Sequence, residues 1–271
     1  METLQEPTVA SAAAPASAEP LVSVRNLTMA FGPKVIQRDL DFDILPGEVL
    51  AIAGGSGCGK STLLRHLIGL QAPATGQVIY GDRDLYAADA AEQRKLMQTF
   101  GVTFQAGALW SSMTVGENVM LPMQLFTDMA PEQCEHEARF KLALVGLGGS
   151  FDAEPATLSG GMKKRAAIAR ALALNPPLVF LDEPSAGLDP LASANLDELI
   201  LHLRNDLHTT VVMVSHELES IFTVADRLLF LDAETKTMTA LGPPKELRRS
   251  GPEGVQNFLR RGAPIPQETS T

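Results

Sequence analysis

The 271-residue sequence has few cysteines, no long apolar run and few basic residues, and each scarcity excludes a class of protein. Its two cysteines, Cys58 and Cys134, lie far apart and outside any C-x-x-C pattern, so we expect neither a disulfide framework nor a zinc site. No apolar run approaches the ~18 residues that a membrane-spanning helix needs, and no basic segment followed by an apolar one opens the chain. We therefore expect a folded chain in the reducing cytoplasm, which reaches a membrane only through partners.

Basic residues are also scarce. The chain has 22 Lys and Arg against 32 Asp and Glu, a formal net charge of −10, and no dense basic block. A sequence-independent nucleic-acid binder usually has the opposite balance, so nucleic acid is not expected as a main partner. The hydrophobic content of 45% is enough for a sizeable core in one large domain or two modest ones.

Hydrophobic periodicity predicts an α/β fold. The first twenty residues are rich in Ala, Pro and Ser without periodicity and are expected to be a disordered leader. Near-alternating strands follow from residue 21, then a mostly helical segment at about 106–165, then strands alternating with helices. Because the later strands are almost continuously apolar, we expect a largely parallel sheet covered on both faces.

A glycine-rich loop stands between the strand-like EVLAIAG and the helix-like STLLRHLIGL. It fits the pattern G-x-x-x-x-G-K-[ST], in which backbone N–H groups hold phosphate oxygens, the lysine reaches the outer phosphates and the hydroxyl ligates magnesium. The alternatives are a glycine-rich turn, which would not require both flanks, and a dinucleotide fingerprint, whose glycine register does not fit. The expected nucleotide-binding residues are Gly54, Gly55, Ser56, Gly57, Cys58, Gly59, Lys60, Ser61 and Thr62.

Two consecutive acids end a second strand. In LVFLDEP, four apolar residues precede Asp182 and Glu183, which places both at the sheet edge where open α/β sheets bind ligands. We expect Asp182 to hold Mg²⁺ together with Ser61, and Glu183 to orient and deprotonate the attacking water. The alternative is that the two acids only cap the end of the strand.

The segment LSGGMKKR predicts a second helix start that can bind an anion. In it, Ser159 occupies an N-cap position. Gly160 and Gly161 leave the first turn without side chains, and helix capping alone does not explain them. Here the chain resembles the ATP-binding cassette family, in which such a signature from one subunit closes over the γ-phosphate of ATP held by the other. The resemblance covers Leu21 to about Gly242.

Four further positions match the family's motifs in order, although each alone has an ordinary structural explanation. The resemblance implies that Phe31 stacks on adenine and that Gln105 contacts Mg²⁺ or water and couples to a transmembrane partner. It implies a D-loop at Asp189 and a histidine, His216, that holds the γ-phosphate and the attacking water. The remaining histidines match nothing and are expected to be structural: His66, His136, His202 and His208.

Departures from the family pattern indicate one branch of the family. Phe31 replaces the commoner tyrosine, Ser185 a frequent threonine, and Met162 the signature glutamine. LSGGM, with FQAGALWSSMTVGENVMLP upstream, is similar to the ATPases of Mla-type phospholipid transport systems of Gram-negative bacteria. The resemblance implies a homodimer on the cytoplasmic face of the inner membrane, bound to a permease, with an MCE-domain protein and in some systems a STAS-domain subunit.

The fold that the family implies is a P-loop, RecA-like α/β core with an N-terminal antiparallel β subdomain and an inserted helical subdomain at about 106–165. We expect the ATPase domain at 21–245 and a C-terminal tail at 246–271, with ATP and Mg²⁺ as cofactors. Three alternatives stay open: an importer ATPase for another solute, a soluble ATPase of DNA repair or translation, and a non-catalytic cassette. An apolar group is expected either to receive a permease helix or to fill the helical subdomain's core: Trp110, Met113, Val115 and Met120.

Overall fold

The computed structural model describes residues 19–105 and 107–260. The expected leader lies outside these residues up to position 18, and so does the predicted tail from position 261 onward. Within the described residues, no helix is long and apolar enough to cross a membrane.

An antiparallel sheet forms the N-terminal layer, in the strand order β2-β1-β4-β5. In β1 the buried residues alternate with half-buried ones, as the sequence predicts, and the alternation is shifted once at Asn26, whose φ is 47°. The strands are β1 (Val22–Phe31), β2 (Lys34–Ile44), β4 (Thr75–Tyr80) and β5 (Arg83–Asp84).

The main sheet has the order β10-β9-β3-β8-β7-β6. Its strands pair in parallel except β10, which runs antiparallel to β9 at one edge. The predicted parallel sheet is therefore confirmed, and the edge strand β10 is an addition that its mixed sequence TMTALG did not predict. The strands are β3 (Val49–Gly54), β6 (Phe100–Thr103), β7 (Leu178–Asp182), β8 (Thr210–Val214), β9 (Arg227–Asp232) and β10 (Thr237–Gly242).

Helices cover both faces of this sheet. Side chains cap four of them: Asp89 at α2, Thr114 in a capping box with Glu117 at α3, Ser159 at α5 and Asp189 at α6. The short helices α2 and α7 were not predicted. The helices are α1 (Lys60–Leu67), α2 (Ala90–Met97), α3 (Val115–Phe126), α4 (Pro131–Leu144), α5 (Gly160–Ala171), α6 (Pro190–Asn205), α7 (Leu218–Val224), α8 (Pro244–Ser250) and α9 (Glu253–Arg260).

Two hydrophobic cores lie on opposite faces of the main sheet because successive strand residues point to opposite sides. In β7, Val179 and Leu181 join the core that contains α3 to α6, whereas Phe180 joins the core beneath α1 and the antiparallel sheet. All three side chains are fully buried. This division explains why the strands are almost continuously apolar.

The apolar group at 110–120 divides between core and surface. Val115 is fully buried, so for this residue the core alternative is correct, and Met120 packs against the same core. Trp110 is 59% exposed. Its backbone is nevertheless fixed, because the buried Asn118 side chain accepts from the Trp110 N–H at 2.7 Å and donates to its carbonyl at 3.0 Å.

Candidate active site

The phosphate loop begins where β3 ends, at Gly54, and ends where α1 begins, at Lys60. A Cβ atom on Gly54 would lie 2.2 Å from the carbonyl oxygen of Leu231, and one on Gly59, whose φ is 100°, would lie 2.7 Å from the Ile36 side chain. Glycine is required at both positions by packing and by backbone conformation. Gly55, Ser56 and Gly57 remain exposed, which leaves their backbone accessible to a ligand.

The Lys60 ammonium lies over the mouth of this loop. Its Nζ donates to the carbonyl oxygens of Gly54 at 3.0 Å and Gly55 at 3.2 Å. These neutral acceptors hold the lysine beside the exposed loop, where an anionic phosphate oxygen would be a stronger partner. The loop therefore fits a nucleotide triphosphate.

Cys58 lies in the phosphate loop just before α1, where a helix N-terminus ordinarily lowers the pKa of a thiol. Its side chain is only 1% exposed, and burial raises the pKa of the thiol although Lys60 acts in the opposite direction. Desolvation of the thiolate outweighs the lysine charge and the helix N-terminus. Only the backbone of Cys58 is therefore placed to take part in a phosphate cradle.

Gln37, on β2, is a residue of the site that sequence reasoning missed. Its side chain is fully buried, and its Nε2 donates to the carbonyls of Cys58 and Asp232, both at 2.8 Å. It thus ties the phosphate loop to the end of β9. The available signal was a glutamine on the inward face of β2, which Leu40, Phe42 and Ile44 continue, because a polar group in the core needs partners.

Ser61 and Asp182 lie together at the carboxyl ends of β3 and β7. The Ser61 hydroxyl donates to Asp182 Oδ1 at 3.4 Å. Burial, and secondarily the charge of Glu183, raise the pKa of the Asp182 carboxyl, and the Ser61 hydrogen bond partly opposes this. A hydroxyl and a carboxylate oxygen are the oxygen donors that Mg²⁺ uses beside substrate phosphates, so the pair fits that ion.

Glu183 lies between two other predicted residues. Its Oε2 accepts from Gln105 Nε2 at 3.0 Å, and its Oε1 lies 3.3 Å from His216 Nδ1. The three residues follow β6, β7 and β8, which are neighbours in the sheet. Parallel strands that end at one edge bring these distant positions together.

The backbone of Glu183 has a φ of 48°, in the left-handed region that glutamate rarely adopts. Two bonds fix it there: the Glu183 N–H donates to Val214 O at 2.9 Å, and Lys164 Nζ donates to Glu183 O at 3.0 Å. Lys164 also binds Ala186 O at 2.7 Å. Sequence reasoning missed this lysine, since the adjacent lysines of LSGGMKKR carry no sign of which one turns inward.

The signature serine caps its own helix. Ser159 Oγ accepts from Met162 N at 3.3 Å, its only hydrogen bond within residues 19–105 and 107–260. A Cβ on Gly160 would meet nothing nearer than Leu188 at 3.7 Å, so packing in this chain does not require the glycine. The helix start thus faces outward, open to another molecule.

Asp189 and Phe31 lie at two other edges of the site. The Asp189 carboxylate accepts from Ala192 N at 3.0 Å and caps α6. Phe31 ends β1 with an exposed ring, two residues beyond Met29, whose side chain packs against Gly59 of the phosphate loop.

The fold and this site define a P-loop ATPase. Residues 37–186 match the family model described as ABC transporter. The chain is 38% identical over 246 residues to "Probable ribonucleotide transport ATP-binding protein mkl" of Mycobacterium leprae, covering 90% of this chain and 70% of that protein. It is 34% identical over 239 residues to "Intermembrane phospholipid transport system ATP-binding protein MlaF" of Escherichia coli K12, covering 88% of each.

Solved structures agree with these relatives. CbiO1 of Clostridium perfringens, part of the ABC transporter complex cbiONQ, superimposes with a TM-score of 0.77 at 26% identity, covering 85% of this chain and 91% of that one. The ATP-binding cassette MJ0796, solved as a dimer in a post-hydrolysis state with ADP and Pi, gives 0.74 at 29% identity, covering 82% and 98%. This chain belongs to the ABC transporter family and is the ATP-hydrolysing subunit of a transporter.

Proposed function

We propose that this chain powers phospholipid transport between membranes, as a homodimer that hydrolyses MgATP beneath a permease. The observation that carries the catalytic part is the placement of Glu183 between Gln105 and His216, beside a phosphate loop. The MlaF relatives are named as ATP-binding proteins of an intermembrane phospholipid transport system, which supports phospholipid as the cargo. The mycobacterial relative is named as a probable ribonucleotide transport ATP-binding protein, which favours a ribonucleotide as a second candidate cargo.

In this proposal Phe31 stacks on adenine, and residues 54–62 hold the phosphates with Lys60 at the outer ones. Ser61, Asp182 and Gln105 hold Mg²⁺, which supplies charge neutralisation on the phosphates when bound. The donors fit this role, because Ser61 and Asp182 already lie within hydrogen-bonding distance at the loop.

Glu183 acts as the general base. Its carboxylate takes a proton from water as the water oxygen bonds to the γ-phosphorus and the bond to the bridging β–γ oxygen breaks, which gives ADP and phosphate. Gln105 and His216, which lie against this carboxylate, orient it. In this proposal His216 would also hold the water and the γ-phosphate. Because all three come from strand ends of one sheet, little rearrangement is needed to assemble them.

The second active-site surface comes from the other copy of the chain. The helix start at Ser159, Gly160 and Gly161 is uncrowded and directed away from its own fold. Leu188 is the nearest side chain to Gly160, so the next residue in the chain, Asp189, lies beside this helix start. A γ-phosphate held by the partner's loop would bind at this helix N-terminus, so ATP joins the two copies. The dimeric state of the cassette MJ0796 supports this arrangement.

A groove in the helical layer is the proposed docking site of the permease. It is a cavity of about 250 Å³ lined in part by Met97, Phe100, Pro122, Phe126 and Leu174. Exposed Trp110 lies on the rigid segment that enters α3, and an exposed aromatic on a fixed backbone suits an interface. The proposal includes an MCE-domain protein and a STAS-domain subunit in the complex, on the cytoplasmic face of the inner membrane.

The same proposal divides the chain into a leader at 1–20, an ATPase domain at 21–245 with its helical subdomain at about 106–165, and a tail at 246–271. Val255 and Leu259 of the tail are buried in the core that contains α3 to α6. Removal of α9 is therefore expected to destabilise the ATPase domain.

Purification from detergent-solubilised membranes of the source organism tests the assembly. A tagged chain should bring down a permease and an MCE-domain protein, with phospholipid in the extract. Trp110→Glu should lose the permease while remaining monodisperse, whereas Leu70→Glu, an exposed control just after α1, should retain it. A permease without an MCE protein would favour an importer for another solute, and recovery without any membrane protein would favour a soluble ATPase.

A further inference from the structure

Lys141, on α4, is a buried cation outside the proposed active site. Its side chain is 5% exposed, and its ammonium donates to the Asn175 side-chain oxygen. Within residues 19–105 and 107–260 no carboxylate lies within salt-bridge distance of it. An ammonium has three donors and a full charge, so one amide oxygen leaves it under-satisfied.

Lys141 lines a cavity of about 330 Å³. Its polar lining comes from Lys141, Asn175, His208 and Thr209. It lies where the chain enters β7 and β8, the sheet edge opposite the one that carries the phosphate loop. The cavity is therefore separate from the nucleotide site.

The rim of the cavity is apolar and exposed. Phe140 is 51% exposed and Leu207 is 42% exposed, and both line the opening. The Phe140 ring centroid lies 5.3 Å from Lys141 Nζ. A buried cation beneath exposed apolar side chains is complementary to a ligand with an anionic head and an apolar body.

Two of the seven non-glycine residues with positive φ in the described chain, Asn175 and His208, lie at this cavity. Their φ values are 53° and 52°. Such conformations persist where the surroundings impose them, and they gather at binding sites. Here they shape the polar end of the cavity.

We propose that this cavity binds a small carboxylate carried on an apolar body. The carboxylate would accept from the free Lys141 donors and from the Thr209 hydroxyl, while the apolar part would cover Phe140 and Leu207. A single negative charge matches the single buried ammonium, whereas a phosphate dianion would leave a charge unbalanced in the cavity.

Charged neighbours of the ammonium are few. Glu137, one turn earlier on α4, acts on it through space without forming a salt bridge, and His208 faces the cavity from the segment before β8. Burial lowers the pKa of Lys141, and Glu137 opposes this. A bound carboxylate would add a second opposing charge and raise that pKa.

Calorimetric titration of the full chain with octanoate and N-acetyl-leucine tests the proposal. The first represents a fatty-acid source of the carboxylate, and the second a peptide C-terminus. At least one should bind saturably, and Lys141→Met, which keeps the shape but removes the charge, should weaken that binding by at least ~10-fold. Lys95→Met, at an exposed lysine on α2, is the matched control and should bind as the unchanged chain does.

A second readout is the NMR titration of lysine labelled with ¹³C at Cε, assigned with Lys141→Arg. The ligand should raise the measured pKa of Lys141 and leave the Lys95 resonance unaffected. Octanol and octylamine should bind at least ~10-fold more weakly than octanoate, because they lack the anion. Equal binding by octanol, equal binding by Lys141→Met, or no binding of either carboxylate would overturn the proposal.

Discussion

His216 Nδ1 lies 3.3 Å from Glu183 Oε1, although the two residues follow different strands, β8 and β7. Gln105 approaches the other oxygen of the same carboxylate at 3.0 Å. Both oxygens of the proposed base are therefore engaged by groups that orient it, while its side chain remains 20% exposed to an incoming water.

Glu183→Gln should slow the chemical step and leave nucleotide binding intact. Glutamine has the same size but cannot take a proton, and a general base contributes about 10²–10⁴-fold. Phosphate release should fall by that factor, and light scattering should show a dimer that forms with MgATP. Adding Ser159→Arg should abolish this dimer by filling the γ-phosphate position. Phosphate release near the wild-type rate would remove Glu183 from the role of base.

Gln37→Leu should destabilise the fold and loosen the phosphate loop. It removes the side-chain donor from the carbonyls of Cys58 and Asp232, at a cost of about 1–3 kcal/mol. Urea unfolding should report the loss, and KM for ATP should rise several-fold. Gln77→Leu is the control, because Gln77 is exposed, and its free energy of unfolding should change by less than about 0.5 kcal/mol. Equal stabilities for both variants would show that the Gln37 bridge is unimportant.

Cys58 should react slowly with iodoacetamide in the native chain. Its thiol is buried and burial raises its pKa, so both access and thiolate content are low. Cys134→Ser isolates the measurement to one thiol, and mass spectrometry should find labelling only after denaturant is added. Rapid native labelling would instead indicate that the phosphate loop opens readily.

His66 should make the protein less stable as the pH falls. Burial lowers its pKa below the ordinary histidine value of 6.5, so below that pH the unfolded chain binds a proton that the folded chain excludes. The contribution of neutral, buried His66 to the free energy of unfolding is complete above pH 6.5. It is lost as the pH falls toward the pKa of His66 in the folded chain. The slope is at most ~1.4 kcal/mol per pH unit for one proton.

Urea unfolding from pH 7 to pH 5 measures this dependence. His66→Gln should flatten it, whereas His136→Gln, at an exposed position on α4, should not. A profile unchanged by His66→Gln would assign the acid sensitivity to other groups.

Local patterns were sufficient for much of the fold. The alternation in β1, the apolar run of β7 and the glycine spacing around Lys60 each specify a conformation within a short segment. Strands and long helices followed from periodicity because it determines which face is buried. The short helices α2 and α7 and the edge strand β10 have no strong period, so they were missed.

The sequence by itself determined the phosphate loop, the strand-end acids and the helix start at Ser159, because each depends on neighbours in the chain. Tertiary structure alone decided which way Cys58 points, that Lys164 supports Glu183, and that Gln37 bonds a carbonyl 195 residues away. It also buried Lys141 beside a cavity. Burial and pairing of this kind depend on which elements pack together, and the free energy of a charge or donor is set by partners that sequence spacing does not specify.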